Sequence, residues 1–287
     1  MRMFHQIPRK HAKLDPDFEC VVFEEHRLTW KELDERVDRL VTGLLSLGTR
    51  PGEHVAILAQ NSHIFVEYYY ACSRGGFVAV PLNWRLSDDE LTYIIGHSET
   101  AALLVGQEYV ETVDRLRNRL SDVREYVSLD GPTEGMKNYE ELLTDSSAQE
   151  HAGEDDEDAM FILMYTGGTT GLPKGVMLSN RNIMTAALGC LFAMGITKED
   201  ITCMILPLFH IAFWPVTVVH FMGSKAVISK KFDLGYVLET SRTRSAHTST
   251  SCPLSRAFCL CSLILTSTTS PASELSHMRD LPCLSRS

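Results

Sequence analysis

One stretch limits what this chain can fold into more than any other. Residues 161–165 form a short apolar run. Thr166-Gly167-Gly168-Thr169-Thr170-Gly171-Leu172-Pro173-Lys174-Gly175 follows, and a second apolar run begins at Val176. The ten central residues hold four glycines, three threonines and one lysine. That is the chemistry of a phosphate cradle. Glycines allow positive φ and close approach of backbone N–H groups to an anion, hydroxyls add donors, and a lysine brings a mobile positive charge. A glycine-rich hairpin turn is the plainer reading, but ordinary hairpin loops use only about two to five residues. The nucleotide-binding pattern in which Gly-Lys-Ser/Thr opens a helix does not fit, because Pro173 stands at its glycine and Gly175 at its hydroxyl position. The loop therefore joins strand to strand, and a helix dipole is not its means of binding.

The run, with the following Met177-Leu178-Ser179-Asn180-Arg181-Asn182, resembles the phosphate-binding signature of the adenylate-forming superfamily. These AMP-dependent synthetases and ligases include acyl-CoA synthetases, 4-coumarate-type CoA ligases, luciferases and peptide-synthetase adenylation domains. The resemblance implies that Thr166, Gly167, Gly168, Thr169, Thr170, Gly171 and Lys174 hold the β- and γ-phosphates of ATP. Gly167 departs from the pattern, standing where such proteins usually carry a second hydroxyl residue; its backbone N–H remains. The implied chemistry has two steps, formation of an acyl-AMP from a carboxylic acid and ATP, then displacement of AMP by a thiol, usually coenzyme A. Mg²⁺ and cationic groups neutralise phosphate charge in such reactions.

Helix and strand signals alternate along the first part of the chain. Thr29-x-x-Glu32 reads as a capping box before a helix of about 17 residues, with Leu33, Val37, Leu40, Leu44 and Leu47 at helical spacing and Gly48 as its stop. Residues 55–58 read as a buried strand, Asn61-Ser62 as the opening of a helix to Gly75, and 77–81 as another strand. Ser87-x-x-Glu90 caps a helix to about His97. Strands at 101–105 and 126–129 enclose a helix over 107–120, and a helix from Ser179 or Asn180 reaches Met194, with Gly195 ending it. Alternation of this kind predicts an α/β fold, parallel sheets with crossover helices. It also resembles the superfamily's N-terminal region, in residues 28–33, 52–57 and 80–86.

Composition is ordinary for a globular protein, with 44% hydrophobic and 22% charged residues in 287. The net charge of −10 argues against a nucleic-acid footprint, and no apolar run approaches the ~18 residues that span a bilayer, so a small-molecule partner is expected. Cys20, Cys72, Cys190 and Cys203 are scattered singly without metal spacing, which fits reduced thiols in an intracellular, cytoplasmic protein. Arg2, Arg9, Lys10 and Lys13 precede the first acid and leave organelle targeting open. The acidic run 154–158 reads as a solvated loop in preference to a metal site, and no metal ligands are assigned.

A second stretch, Ile205-Leu206-Pro207-Leu208-Phe209-His210, resembles the superfamily segment that lines the acyl pocket. Taken alone, His210 reads as a core histidine; the resemblance makes it the catalytic candidate beside the carboxylate, with Phe209, Phe213 and Trp214 as apolar wall. Amino-acid adenylation domains place an Asp near here, whereas this chain has no acid between Asp200 and Asp233. A fatty or aryl acid is thus expected in place of an amino acid. Ala212 and Phe213 depart from the small residues common after this histidine.

Residues 1–239 are read as a partial N-terminal AMP-binding (adenylation) domain. From Thr240 the text changes: residues 240–287 are rich in Ser, Thr and Cys and hold no lysine. They read as a disordered tail or, since 268–286 permit a family-like reading when each codon's third base is joined to the next two, as an out-of-frame segment. Family segments that hold adenine and ribose, the hinge and the C-terminal lid domain have no counterpart in the 287 residues. Little or no turnover is therefore expected of this chain, and a non-catalytic product with weak nucleotide or partner binding is the alternative.

Overall fold

A computed structural model describes residues 1–153, 155–167, 171–210 and 213–230. Residues 240–287, with the out-of-frame reading placed on them, lie outside the described residues, as do Gly168, Thr169 and Thr170 of the loop.

Eleven strands and eight α-helices alternate among the described residues. In chain order they are α1 (Gln6–Leu14), β1 (Glu19–Phe23), β2 (His26–Thr29), α2 (Trp30–Ser46), β3 (His54–Leu58), α3 (His63–Gly75), β4 (Val78–Pro81), α4 (Asp88–His97), β5 (Thr100–Val105), α5 (Val110–Leu116), β6 (Glu125–Ser128), β7 (Lys137–Asn138), α6 (Tyr139–Asp145), β8 (Met160–Thr166), β9 (Lys174–Ser179), α7 (Asn180–Met194), β10 (Thr202–Met204), α8 (Trp214–Met222) and β11 (Ala226–Ile228). They build a seven-stranded sheet in the order β7-β6-β5-β3-β4-β8-β9 and a four-stranded sheet in the order β10-β11-β1-β2. The large sheet is parallel except for the β8–β9 hairpin, and in the small one only β1 and β2 run antiparallel. The expected α/β fold with parallel sheets is what the chain adopts.

Alternation along β3 explains the layering. Successive side chains of a strand point to opposite faces. Val55 and Ile57 accordingly pack with Leu33 and Val37 of α2, while Ala56 and Leu58 pack with Leu91 and Ile94 of α4 and Val113 of α5. The sheet is thus covered on both faces, the usual condition for parallel strands. Helix α3 is buried from His63 to Arg74 without interruption. It belongs to the same core cluster as β1 and β11 of the small sheet, and its tyrosine hydroxyls all find partners. Tyr68 donates to the Val55 carbonyl (2.7 Å), Tyr69 to the Leu208 carbonyl (2.8 Å), and Tyr70 bonds His220 of α8 (2.9 Å). A buried hydroxyl left without a partner would cost about 1–3 kcal/mol.

Capping chemistry sets the helix starts. Both predicted boxes close: Thr29 and Glu32 exchange hydrogen bonds at 2.8 and 3.2 Å, Ser87 and Glu90 at 2.9 and 3.4 Å. Residues 107–120, expected as one helix, are instead a short α5 between 3₁₀ turns at Gln107–Tyr109 and Arg117–Arg119. At the first turn the Asp130 carboxylate takes the Gln107 N–H, and at the second Leu120 N–H closes on Arg117 at i−3, so neither end continues the α ladder.

Candidate functional site

The phosphate-type loop sits on the β8–β9 hairpin, closed by the pair Thr166 and Lys174, with Tyr165 opposite Gly175. A strand-to-strand loop is what the sequence predicts. Thr166 is the last residue of β8, which runs parallel to β4, so the loop projects from the carboxyl edge of the sheet. In open α/β sheets that edge is where ligands gather. Thr166, Gly167, Gly171 and Lys174 are all exposed. Among the described residues a Cβ on Gly167 or Gly171 would meet nothing within 4 Å, so each leaves room in front of the backbone. Gly175 differs, since a Cβ there would lie 2.8 Å from Leu163 Cδ1 and 3.4 Å from Tyr165 Cζ.

Two contacts fix the hairpin to its surroundings. The Tyr165 hydroxyl bonds His97 Nδ1 at the end of α4 (2.6 Å), and burial, then Tyr93, pushes its pKa up to about 12, so it stays a donor. At the other end, Arg181 at the start of α7 grips Asp158 with two hydrogen bonds (2.6 and 2.7 Å) and pairs with Glu157 (3.1 Å). The Arg181 bond holds the Asp158 carboxyl below its ordinary range. Part of the acidic run is therefore an ion-paired surface loop. Among the described residues no group of three or more His, Cys, Asp or Glu side chains could hold a metal ion.

The acyl-type segment follows β10. The His210 N–H donates to the Pro207 carbonyl (3.1 Å), making one turn, and the Phe213 N–H donates to the His210 carbonyl (3.1 Å). Upstream, the Asn61 amide spans Leu206, Leu208 and Ser229. His210 is exposed, yet enough water is withdrawn from its ring to lower its pKa and favour the neutral imidazole. Phe209 is buried with its ring edge-on to Trp84 at 6.2 Å. Phe213 lies deeper, stacked on Tyr69 at 4.5 Å and edge-on to Phe4, and is 2% exposed. Trp214 is half-buried at the start of α8. The four side chains expected to line one wall thus divide, His210 outward and Phe213 into the aromatic core.

Asn61 follows β3 and Trp84 follows β4, the same carboxyl edge from which the β8–β9 loop projects. The acyl-type segment, although it follows β10 of the small sheet, therefore packs against residues at the same edge of the large sheet from which the loop projects. Asn61, Tyr69, His97 and Tyr165 carry no sequence signal of a place at this edge. Asn61-Ser62 carries a helix-opening signal that hides the role of the Asn side chain, and the other three give no local signal.

The family described as AMP-binding enzyme matches residues 8–257. The chain is 34% identical over 209 residues to a long-chain-fatty-acid–CoA ligase of Thermus thermophilus, a match covering 71% of this chain and 38% of that protein. It is 31% identical over 227 residues to an indoleacetate–CoA ligase of Aromatoleum aromaticum, covering 78% and 44%. Among solved structures it is similar to the N-terminal domain of FACL13 from Mycobacterium tuberculosis (TM-score 0.78, 27% identity, 84% of this chain and 60% of that one). It is also similar to a long-chain-fatty-acid-CoA ligase from Archaeoglobus fulgidus (TM-score 0.79, 25% identity, 85% and 50%). The chain spans less than half the length of these curated relatives. With a threonine- and lysine-bounded loop at the carboxyl edge of its sheet and a family match over most of its residues, the chain belongs to the AMP-binding enzymes.

Proposed function

We propose that this chain is the phosphate- and acyl-binding part of an AMP-forming acyl-CoA ligase acting on a fatty or aryl carboxylic acid. The observation that carries this reading is the pairing of Thr166 with Lys174, which sets a hydroxyl and an ammonium at the two ends of a glycine-rich loop. Thr166, the amides of residues 167–171 and Lys174 hold the β- and γ-phosphates of ATP. This donor set of hydroxyl, amides and ammonium suits a polyphosphate. Mg²⁺ would arrive on the nucleotide, where it neutralises phosphate charge; the described residues offer it no carboxylate cluster of their own.

In the first half-reaction a carboxylate oxygen of the acid forms a bond to the α-phosphorus. The bond to the bridging oxygen breaks, and its electron pair leaves on pyrophosphate. Lys174 offsets the charge that builds on the leaving group, a positioning and electrostatic contribution. His210, kept neutral, borders the carboxylate, with Phe209 and Trp214 beside it. The names of the relatives include fatty and aryl acids, which supports that substrate class for this chain. In the second half-reaction coenzyme A displaces AMP.

ATP–pyrophosphate exchange with Mg²⁺ and a panel of short, long and aromatic acids tests the reading. Acid-dependent exchange, or saturable ATP binding, that drops about tenfold or more in Lys174→Ala supports it. Well-folded protein with neither overturns it.

A further inference from the structure

Asn61 sits just beyond the carboxyl end of β3, 5% exposed. Its amide nitrogen donates to the Leu206 carbonyl at 2.9 Å and the Ser229 carbonyl at 3.1 Å, and its oxygen accepts from the Leu208 N–H at 2.7 Å. Three of the four hydrogen bonds a carboxamide can make are thereby spent on backbone. The partners lie 145, 168 and 147 residues away in sequence, so this one side chain ties the end of a large-sheet strand to the acyl-type segment and to the residue after β11. The ordinary explanation for Asn at a helix start is capping. It does not hold here, because the N-cap of α3 is Ser62 and makes no side-chain cap, while the Asn61 amide is committed elsewhere.

Leu208 is held from both sides. Its N–H goes to Asn61, and its carbonyl accepts from the Tyr69 hydroxyl at 2.8 Å. His210 is two residues further on, at the close of the turn from Pro207. The anchors of the phosphate hairpin are different groups, His97 on Tyr165 and Arg181 on Asp158.

We infer that Asn61 is a positioning residue for the acyl half of the site: its carboxamide sets where the 206–210 segment and His210 stand, without acting on the phosphate half. The inference deepens the acyl-ligase reading and rests on it. An Asp at this position keeps size and the bond from the Leu208 N–H, but puts an oxygen in place of the amide nitrogen against the Leu206 and Ser229 carbonyls, replacing attraction by repulsion.

The test uses the 287-residue chain and two kinds of ligand. ATP probes the phosphate half. A non-reactive acyl sulfamoyl adenosine, in one fatty and one benzoyl version, probes both halves together. Asn61→Asp is expected to leave the ATP dissociation constant within about twofold while weakening the better acyl probe by about tenfold or more, the loss of one to two good hydrogen bonds. A destabilising change with no positioning role would weaken both ligands together, and that result overturns the inference, as does an acyl probe bound as tightly as before. If Asn61→Asp does not fold, Tyr69→Phe removes one hydroxyl and keeps the ring stack. A selective weakening of about threefold supports the inference and no change overturns it. Wild-type chain that binds neither ATP nor either probe defeats the parent reading and the inference together; wild-type binding with an unselective variant defeats the inference alone.

Discussion

Among single residues, Glu67 shows how this fold keeps a charge inside. It is 0% exposed on α3, and its two oxygens take bonds from Arg36 Nε and Nη2 at 2.9 and 3.1 Å and from the Tyr139 hydroxyl at 2.6 Å. Removing one partner of a buried pair leaves the other uncompensated, so Glu67→Ala should lower stability by about 3 kcal/mol, read as a fall in urea midpoint at unchanged slope. A loss below about 1 kcal/mol would mean that Arg36 finds enough relief through Glu140 and water. Two deeply buried histidines contribute to the response to acid. His220 is fully buried; its Nδ1 accepts from Tyr70, its Nε2 donates to the Cys20 carbonyl at 3.1 Å, and burial lowers its pKa to about 3. His5 is lowered to about 4 by burial and by Arg74. The unfolded chain takes up these protons near 6.5 while the folded chain does not, so stability falls as pH drops below that value. Between pH 6 and pH 5 the two should together remove about 2 kcal/mol, measurable by denaturant titration at each pH. Stability that is flat over this window would show that neither imidazole is held neutral.

At the scale of elements, what was legible in the sequence follows from where each signal resides. Helices α2 and α4 announce themselves through capping boxes, α2 also through its periodic apolar residues, all within one helix length, and both start where those signals place them. Helix α1 does not, because it has no side-chain cap and carries Pro8 in its first turn. The β1–β2 hairpin turns through Glu24 at φ 49°, a left-handed position with none of the Gly or Asn that would mark it. Strands β10 and β11 have three residues each and exist through partners remote in sequence. The same division applies to the site. The loop chemistry of 166–174 is contiguous and readable, whereas the Asn61 amide and the Tyr165–His97 bond join distant segments. The hairpin's own geometry gives an element-scale prediction. Gly175→Ala puts a methyl 2.8 Å from Leu163 Cδ1, so the Leu163 side chain must shift within the hairpin, with Tyr165 at contact distance beside it. Overpacking of this kind costs about 1–3 kcal/mol, and ATP binding should weaken with it. Unchanged binding with an unchanged melting temperature would show that the hairpin absorbs the methyl.

For the molecule as a whole, the described surface is least protected along β9 and α7. Strand β9 ends the seven-stranded sheet, with Val176 41% and Met177 72% exposed, and Phe192 of α7 is 87% exposed. An apolar strand edge invites pairing with another chain. Met177→Lys should reduce concentration-dependent association in sedimentation experiments without lowering the melting temperature; equal association would place the contact elsewhere. The small sheet has a different consequence, one that concerns the ribosome. Its middle strands β1 and β11 pair Val21 with Ala226, so the N-terminal hairpin emerges with its neighbour still about 200 residues from being made. At translation speeds of roughly 5–20 residues per second that is a wait of about 10–40 seconds. During it one hydrogen-bonding edge of β1 has no native partner strand, which makes nascent chains of this protein candidates for chaperone holding, and makes the time of translation itself a determinant of yield.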